Sequence, residues 1–280
     1  MQQVAIIGAG ELGGAAAHAL ARSNLVRSIT LIDETRRVAA GKALDIAQAA
    51  AVERFATRLS GATDVSMAAG ASIVIIADRV AGGEWHGEDG LMLLKRLSQT
   101  AAGAVIVCAG ASQRELVDRG VGELKFSRTR LFGAAPESLA AAARALAAVA
   151  VDGSPRDIAL SVLGVPPDHI VIPWADATVA GFALTRLVDE PSRRKLAARI
   201  HALWPTGPYA LAAAGMAIVE VMCGRSRRVT SCFVAPNLAS GAHTRTGAMP
   251  VRLGPAGIVE IVMPSLNAVE QVALDNAMML

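Results

Sequence analysis

A chain of 280 residues is long enough for one large or two ordinary domains, each with a full buried core. Apolar residues make up 53% of it but aromatics only 3%, which suits close packing of helices on a sheet and argues against an aromatic platform for nucleic acid. The net charge is only +3, and the local clusters Arg193, Arg194 and Lys195 and Arg225, Arg227 and Arg228 read as solvated helix ends rather than a phosphate-binding stripe.

Along the first 110 residues, short β-branched runs alternate with Ala/Leu-rich stretches. The runs Val4–Ile7, Ile29–Ile32, Ile73–Ile76 and Val105–Val107 predict strands, and Leu12–Arg22 and Val38–Ala50 predict helices between them. Continuous apolar strands separated by helices imply a parallel sheet covered on both faces. Right-handed crossovers then give an α/β fold of the doubly wound, Rossmann kind over residues 1–132. Residues 133–280 are expected to form a second, α+β domain with antiparallel strands. Within it, Thr206 to Gly224 approaches membrane length, but Glu220 interrupts it and Pro208 stands near its start, so a buried core helix is expected and no membrane partner. Cys108, Cys223 and Cys232 are too few and too scattered for a disulfide framework or a zinc site, and they suit a reducing compartment. No basic leader precedes the first strand, so a cytoplasmic location is expected.

The chemistry-bearing segment is Gly8-Ala9-Gly10-Glu11-Leu12-Gly13, which directly follows a strand and opens a helix. Gly8 permits the tight turn, Gly10 the close approach of a pyrophosphate, and Gly13 the packing of helix on strand, while Glu11 and Leu12 complete the turn. Free amides and the helix dipole there favour negative charge. Asp33 closes the second strand, twenty positions after Gly13, where a carboxylate reads ribose hydroxyls and repels a 2′-phosphate. NAD is therefore the expected cofactor, although Arg36 and Arg37 are placed to accommodate a 2′-phosphate. The alternative role for Asp33 is a cap on the next helix.

Val4 to Ala50, with Ile32-Asp33, Gly41-Lys42-Ala43-Leu44-Asp45-Ile46 and the later Thr63-Asp64, closely resembles the lactate and malate dehydrogenases. The similarity continues through Ser161-Val162-Leu163-Gly164, Asp168, Val171, Pro173, Thr178 and Gly181 as a second-domain hairpin. Tyr209 to Val221 resembles the family's long central helix, and Gly254–Glu260 with Leu266–Leu274 its closing strand pair and terminal helix. The resemblance implies hydride transfer between nicotinamide and a 2-hydroxy acid, a substrate of the 2-oxoacid class, and a homo-oligomer, dimer or tetramer.

The family's reaction needs a histidine, an aspartate that orients it, and arginines for the substrate. The histidine's place falls on Pro166, within Gly164-Val165-Pro166-Pro167-Asp168, which aligns with the family's Gly-Glu-His-Gly-Asp. The aspartate and the substrate arginine fall on Leu139 and Ala142, and Arg144 matches a later arginine outside the catalytic set. The Asn-Pro that closes the fifth strand aligns with Ala109-Gly110, and the arginine just before the lid's helix with Gly90. Removing the histidine's chemistry alone costs about two to four orders of magnitude in rate. Ordinary malate or lactate turnover is not supported by these residues.

Replacements are sought in the glycine-rich loop Asp78–Gly90, which carries Arg79, Glu84, Trp85, His86, Glu88 and Asp89. His86 is the leading substitute proton carrier, with Arg79 and Asp168 as further catalytic candidates. The loop also reads as a solvated segment whose Trp85 packs on a neighbouring subunit. His169 lies too far along an extended chain to stand in for the residue at Pro166, and His18 and His201 look structural. His243 is left unassigned. No metal-ligand spacing is present. Two functions stay open: an NAD-linked oxidoreductase with an altered active site and substrate, or a catalytically silent NAD(H)-binding or structural homologue.

Overall fold

The computed structural model describes residues 2–237 and 244–279, without the side chain of Arg36. In chain order the elements run β1 Gln2–Ile7, α1 Glu11–Ser23, β2 Val26–Ile32, α2 Arg36–Gln48, the single turn α3 Ala50–Glu53, β3 Arg58–Ala62 and β4 Ile73–Ile76. A small hairpin, β5 Asp78–Arg79 and β6 Gly83–Glu84, leads into α4 Gly87–Thr100, β7 Val105–Cys108, α5 Arg114–Gly122 and β8 Leu131–Gly133. Then follow α6 Ala135–Ala150, β9 Ile158–Ala159, β10 Leu163–Val165, β11 His169–Val171, β12 Thr178–Val179, β13 Phe182–Ala183, α7 Glu190–His201 and α8 Pro208–Met222. The chain closes with β14 Thr230–Val234, β15 Gly247–Gly254, β16 Gly257–Ile261 and α9 Ala268–Met279.

The parallel half of the main sheet has the order β3-β2-β1-β4-β7-β8, so the winding direction reverses between β1 and β4. This is the doubly wound arrangement expected, with two strands that the sequence hides. β3 (Arg-Leu-Ser-Gly-Ala) is an edge strand, largely exposed, and therefore lacks an apolar run. β8 has only three residues. The central strands β4 and β7 are buried at every position, which is why they read as unbroken Ile/Val runs. The sheet does not stop at β8: β14 joins it antiparallel through Phe233 opposite Gly133, and β15, β10 and β11 continue it. The boundary drawn at 132/133 thus falls inside β8.

Alternate side chains of the strands feed two cores. Val4, Ile6, Ile29, Leu31, Ile73 and Ile75 pack on one face under α1 and α8. Ala5, Ile7, Val74, Ile76 and Ile106 pack on the other under α4 and α5. The helix expected over Thr206–Gly224 is α8, and it covers the first-half sheet beside α1. Ala16, Ala17 and Ala21 meet Ala212, Ile218 and Val219 in that core, so these Ala-rich faces pack inside one chain. Fully buried Ile218 and Val219 contribute roughly 1.5–3 kcal/mol each relative to exposure. A third core beneath α6 and α7 holds Leu139, Ala140, Ala143, Val162 and Ile170. Among the described residues, no helix is long and apolar enough to cross a membrane.

Candidate functional site

The loops at the carboxyl ends of β1, β4 and β7 meet where the strand order reverses, the place at which doubly wound sheets form a ligand crevice. The glycine turn lies there. Gly8 has φ +109° and its amide donates to the Ile32 carbonyl at 2.7 Å. A Cβ on Gly13 would come within 2.0 Å of the Gly8 carbonyl oxygen, so only glycine lets α1 rise this tightly from the turn. Lys42 Nζ donates to the Gly10 carbonyl at 2.6 Å and ties α2 to the same turn.

Three carboxylates line the crevice, and each accepts from backbone amides. Asp33 Oδ2 accepts from the amides of Ala9 at 2.9 Å and Val80 at 3.0 Å, and its Oδ1 accepts from the Thr35 amide at 2.9 Å. Burial works to raise the Asp33 pKa, but the three amides outweigh it and hold the carboxyl below its ordinary value. Asp33 thus clamps the glycine turn, the entry to α2 and the residue after β5 at once.

Asp78 sits on the phosphate seat itself. Its Oδ2 accepts from the Glu11 amide and its Oδ1 from the Gly13 amide, both at 2.9 Å. Its carbonyl oxygen takes the Gly10 amide at 2.9 Å. A Cβ on Gly10 would lie 2.3 Å from the Asp78 carboxyl group, so the close approach that Gly10 permits is made by this side chain. The dipole argument for a pyrophosphate at the start of α1 holds equally for a carboxylate there.

Glu84 repeats the arrangement on the other wall. Its Oε1 accepts from the Ala111 amide at 3.0 Å, and its Oε2 from the Ser112 amide at 2.8 Å and the Ser112 hydroxyl at 2.6 Å. Beside it, the Gly110 amide donates to Gln113 Oε1 at 2.9 Å, while the buried Gln113 Nε2 finds no acceptor among the described residues. Burial, and then the Glu84 charge, push the Cys108 thiol far up, so Cys108 is not a nucleophile.

The loop Asp78–Gly90 is therefore not simply solvated. It folds back as the β5–β6 hairpin, and Trp85 lies under the Arg79 guanidinium, 4.4 Å from its ring centre. Arg79 also pairs with Asp89 at 3.4 Å. α4 begins at Gly87, so Gly90 belongs to its first turn rather than to the loop before it.

The other sequence-derived candidates are dispersed. His86 is exposed and precedes α4 without a side-chain capping bond. Asp168 is exposed in the β10–β11 turn, and His169 is exposed at the start of β11. His18 pairs with Glu53 at 2.8 Å. Arg37 is exposed, whereas the Arg36 side chain and His243 lie outside the described residues. Pro166 is buried next to β10, and Leu139, fully buried, is part of the third core. Among the described residues, no group of His, Cys, Asp and Glu is arranged to hold a metal.

Two features escaped the sequence. Asp78 and Glu84 were visible only as members of a charged loop; the available signal was that Asp78 follows directly on a fully apolar central strand. The second is Glu137, whose 1% exposure hides a carboxylate paired with Arg144 and accepting from the Ser231 amide at 2.9 Å.

Comparison with known proteins bears on this geometry. Residues 2–96 match the family model for the NAD binding domain of lactate/malate dehydrogenase. The malate dehydrogenase of Thermomicrobium roseum is 27% identical, across 99% of this chain and 94% of that protein. The malate dehydrogenase of Chlorobium phaeobacteroides is 26% identical, across 97% and 94%. Among solved structures, malate dehydrogenase from Salinibacter ruber superposes with a TM-score of 0.86 at 21% identity, covering 98% of this chain and 93% of the other. Lactate dehydrogenase from Cryptosporidium parvum, solved with lactic acid and nicotinamide adenine dinucleotide, gives 0.86 at 18% identity over 99% and 94%.

The glycine turn between β1 and α1, with Gly8 at φ +109°, is of the kind that holds a dinucleotide's diphosphate. With Asp78 seated on the Glu11 and Gly13 amides, the turn does not accommodate that diphosphate at the same time.

Proposed function

We propose that this chain, a distant relative of the lactate and malate dehydrogenases, keeps an NAD(H) site in residues 1–132 and carries an altered active site at its substrate end, in residues 133–280. Gly8, Gly10, Glu11, Leu12 and Gly13 form the diphosphate turn of that site, and Asp33 fixes it to the ribose side. NAD, when bound, supplies or accepts a hydride; no proton relay stands at the positions that the resemblance assigns to it. The observation that carries this reading is the identity of three positions. Pro166, Leu139 and Ala142 stand where the resemblance places the histidine, aspartate and substrate arginine, and none of the three titrates. Leu139 moreover has 0% exposure and packs among Ala140, Ala143 and Val162. A carboxylate there would have to be buried without a partner, at a cost of several kcal/mol. The protein is accordingly silent toward malate and lactate, and it self-associates as the family resemblance implies.

The second reading, an oxidoreductase for another 2-oxoacid, draws on the loop Asp78–Gly90, which holds Arg79 in the β5–β6 hairpin and His86, exposed, just before α4. One experiment separates the two. NADH is titrated into the protein, and its oxidation is then followed with a panel of 2-oxoacids. Binding without oxidation supports the silent reading. Oxidation with one unusual 2-oxoacid supports the second, and rapid reduction of oxaloacetate or pyruvate refutes the loss of the relay.

A further inference from the structure

We propose that the β5–β6 hairpin is an internal plug of the cofactor crevice, a carboxylate-bearing strap that must leave before a dinucleotide can enter. The inference rests on the NAD(H) reading above and adds a regulation to it. Asp78 and Glu84 are direct cross-strand partners. Facing residues of an antiparallel pair project from the same side, so the hairpin delivers both carboxylates into the crevice together. Two like charges placed opposite each other repel. Here that repulsion is met by four backbone amides and one hydroxyl: Glu11 and Gly13 for Asp78, and Ala111, Ser112 and the Ser112 Oγ for Glu84. The plug thus spans from the amides that open α1 to those that follow β7, the two walls of the crevice.

An amide that donates to Asp78 cannot donate to a phosphate oxygen, and the carboxylate repels the phosphate it would have to admit. Occupation by hairpin and by dinucleotide is therefore mutually exclusive. The hairpin is also built to move as a unit. Its turn carries Gly82 and Gly83, and its junction with α4 carries Gly87, all three in the left-handed region. Its closed form leaves two buried donors, Arg79 Nε and Trp85 Nε1, without acceptors among the described residues. Closure is held at the carboxylates and is imperfect behind them, as befits an element with a second arrangement.

The test compares NADH affinity in the full chain and in Asp78→Ala, Asp78→Asn and Glu84→Gln, with circular dichroism confirming each fold. Asp78→Asn keeps the side chain's size and decides the matter if Asp78→Ala does not fold. Removing the competing carboxylate is expected to tighten NADH binding at least tenfold, about 1.4 kcal/mol, with a smaller gain for Glu84→Gln. Hydrogen exchange on the wild-type chain gives an independent readout: saturating NADH is expected to speed exchange in residues 78–86 while residues 9–13 stay protected. Measurable wild-type binding that the Asp78 variants leave unchanged or weaken overturns the plug and spares the cofactor reading. So does NADH-induced protection of residues 78–86. Absence of NADH binding in every variant overturns both.

Discussion

Alanine at Gly13 and alanine at Gly41 should change stability in opposite directions. Both glycines lie inside helices, in α1 and α2, where the intrinsic preference favours alanine by about 1 kcal/mol. At Gly41 nothing lies within 4 Å of an added Cβ. The preference then acts alone, and Gly41→Ala is expected to stabilise by roughly 0.5–1 kcal/mol. At Gly13 the Cβ would stand 2.0 Å from the Gly8 carbonyl oxygen. An ordinary carbon–oxygen contact needs about 3.3 Å, so helix and turn must part by roughly 1.3 Å. Neither partner is a flexible side-chain end, and overpacking of this kind costs about 1–3 kcal/mol. The same displacement draws the Gly13 amide from Asp78, now 2.9 Å away, a bond to a charged group worth about 1.5–3 kcal/mol. Clash and lost bond together exceed the helix preference, leaving Gly13→Ala destabilised by roughly 1.5–5 kcal/mol. Urea unfolding followed by circular dichroism reads both variants on one scale. A Gly13→Ala variant as stable as the wild type would rule out a clash between α1 and the Gly8 carbonyl.

Two further predictions concern carboxylates. Glu137→Ala removes the buried partner of Arg144 and Arg228 and the acceptor for the Ser231 amide; a loss of about 3–5 kcal/mol is expected in the same unfolding assay, and a loss below about 1 kcal/mol would show that Arg144 finds other partners. Asp33 has a folded pKa below its unfolded one, so the stability it contributes is fully present above the unfolded value, near pH 4, and drains away as pH falls through the folded value. Asp33→Asn should therefore flatten the acid limb of the stability profile below about pH 4, and an unaltered limb would mean that Asp33 is not the titrating group.

The sequence by itself determined the alternation of buried strand and helix and the glycine turn that begins the first crossover. Both carry a local signature: a central strand must be apolar at every position, and Gly13 lies directly against the Gly8 carbonyl only five residues before it. The expectation that Pro166, Leu139 and Ala142 stand in the places of the relay came from the resemblance alone, because it concerns residue identity rather than position in space. Tertiary structure alone decided what the Ala-rich faces of α1 and α8 pack against, since an alanine stripe suits an internal core and a subunit contact equally well. It alone revealed the edge strand β3, whose exposure erases the apolar signal. It alone placed Asp78 and Glu84 on amides from distant segments of the chain. A charged loop reads as solvated until the register of a two-residue hairpin aims its carboxylates inward, and that register depends on backbone pairing rather than on any pattern along the chain.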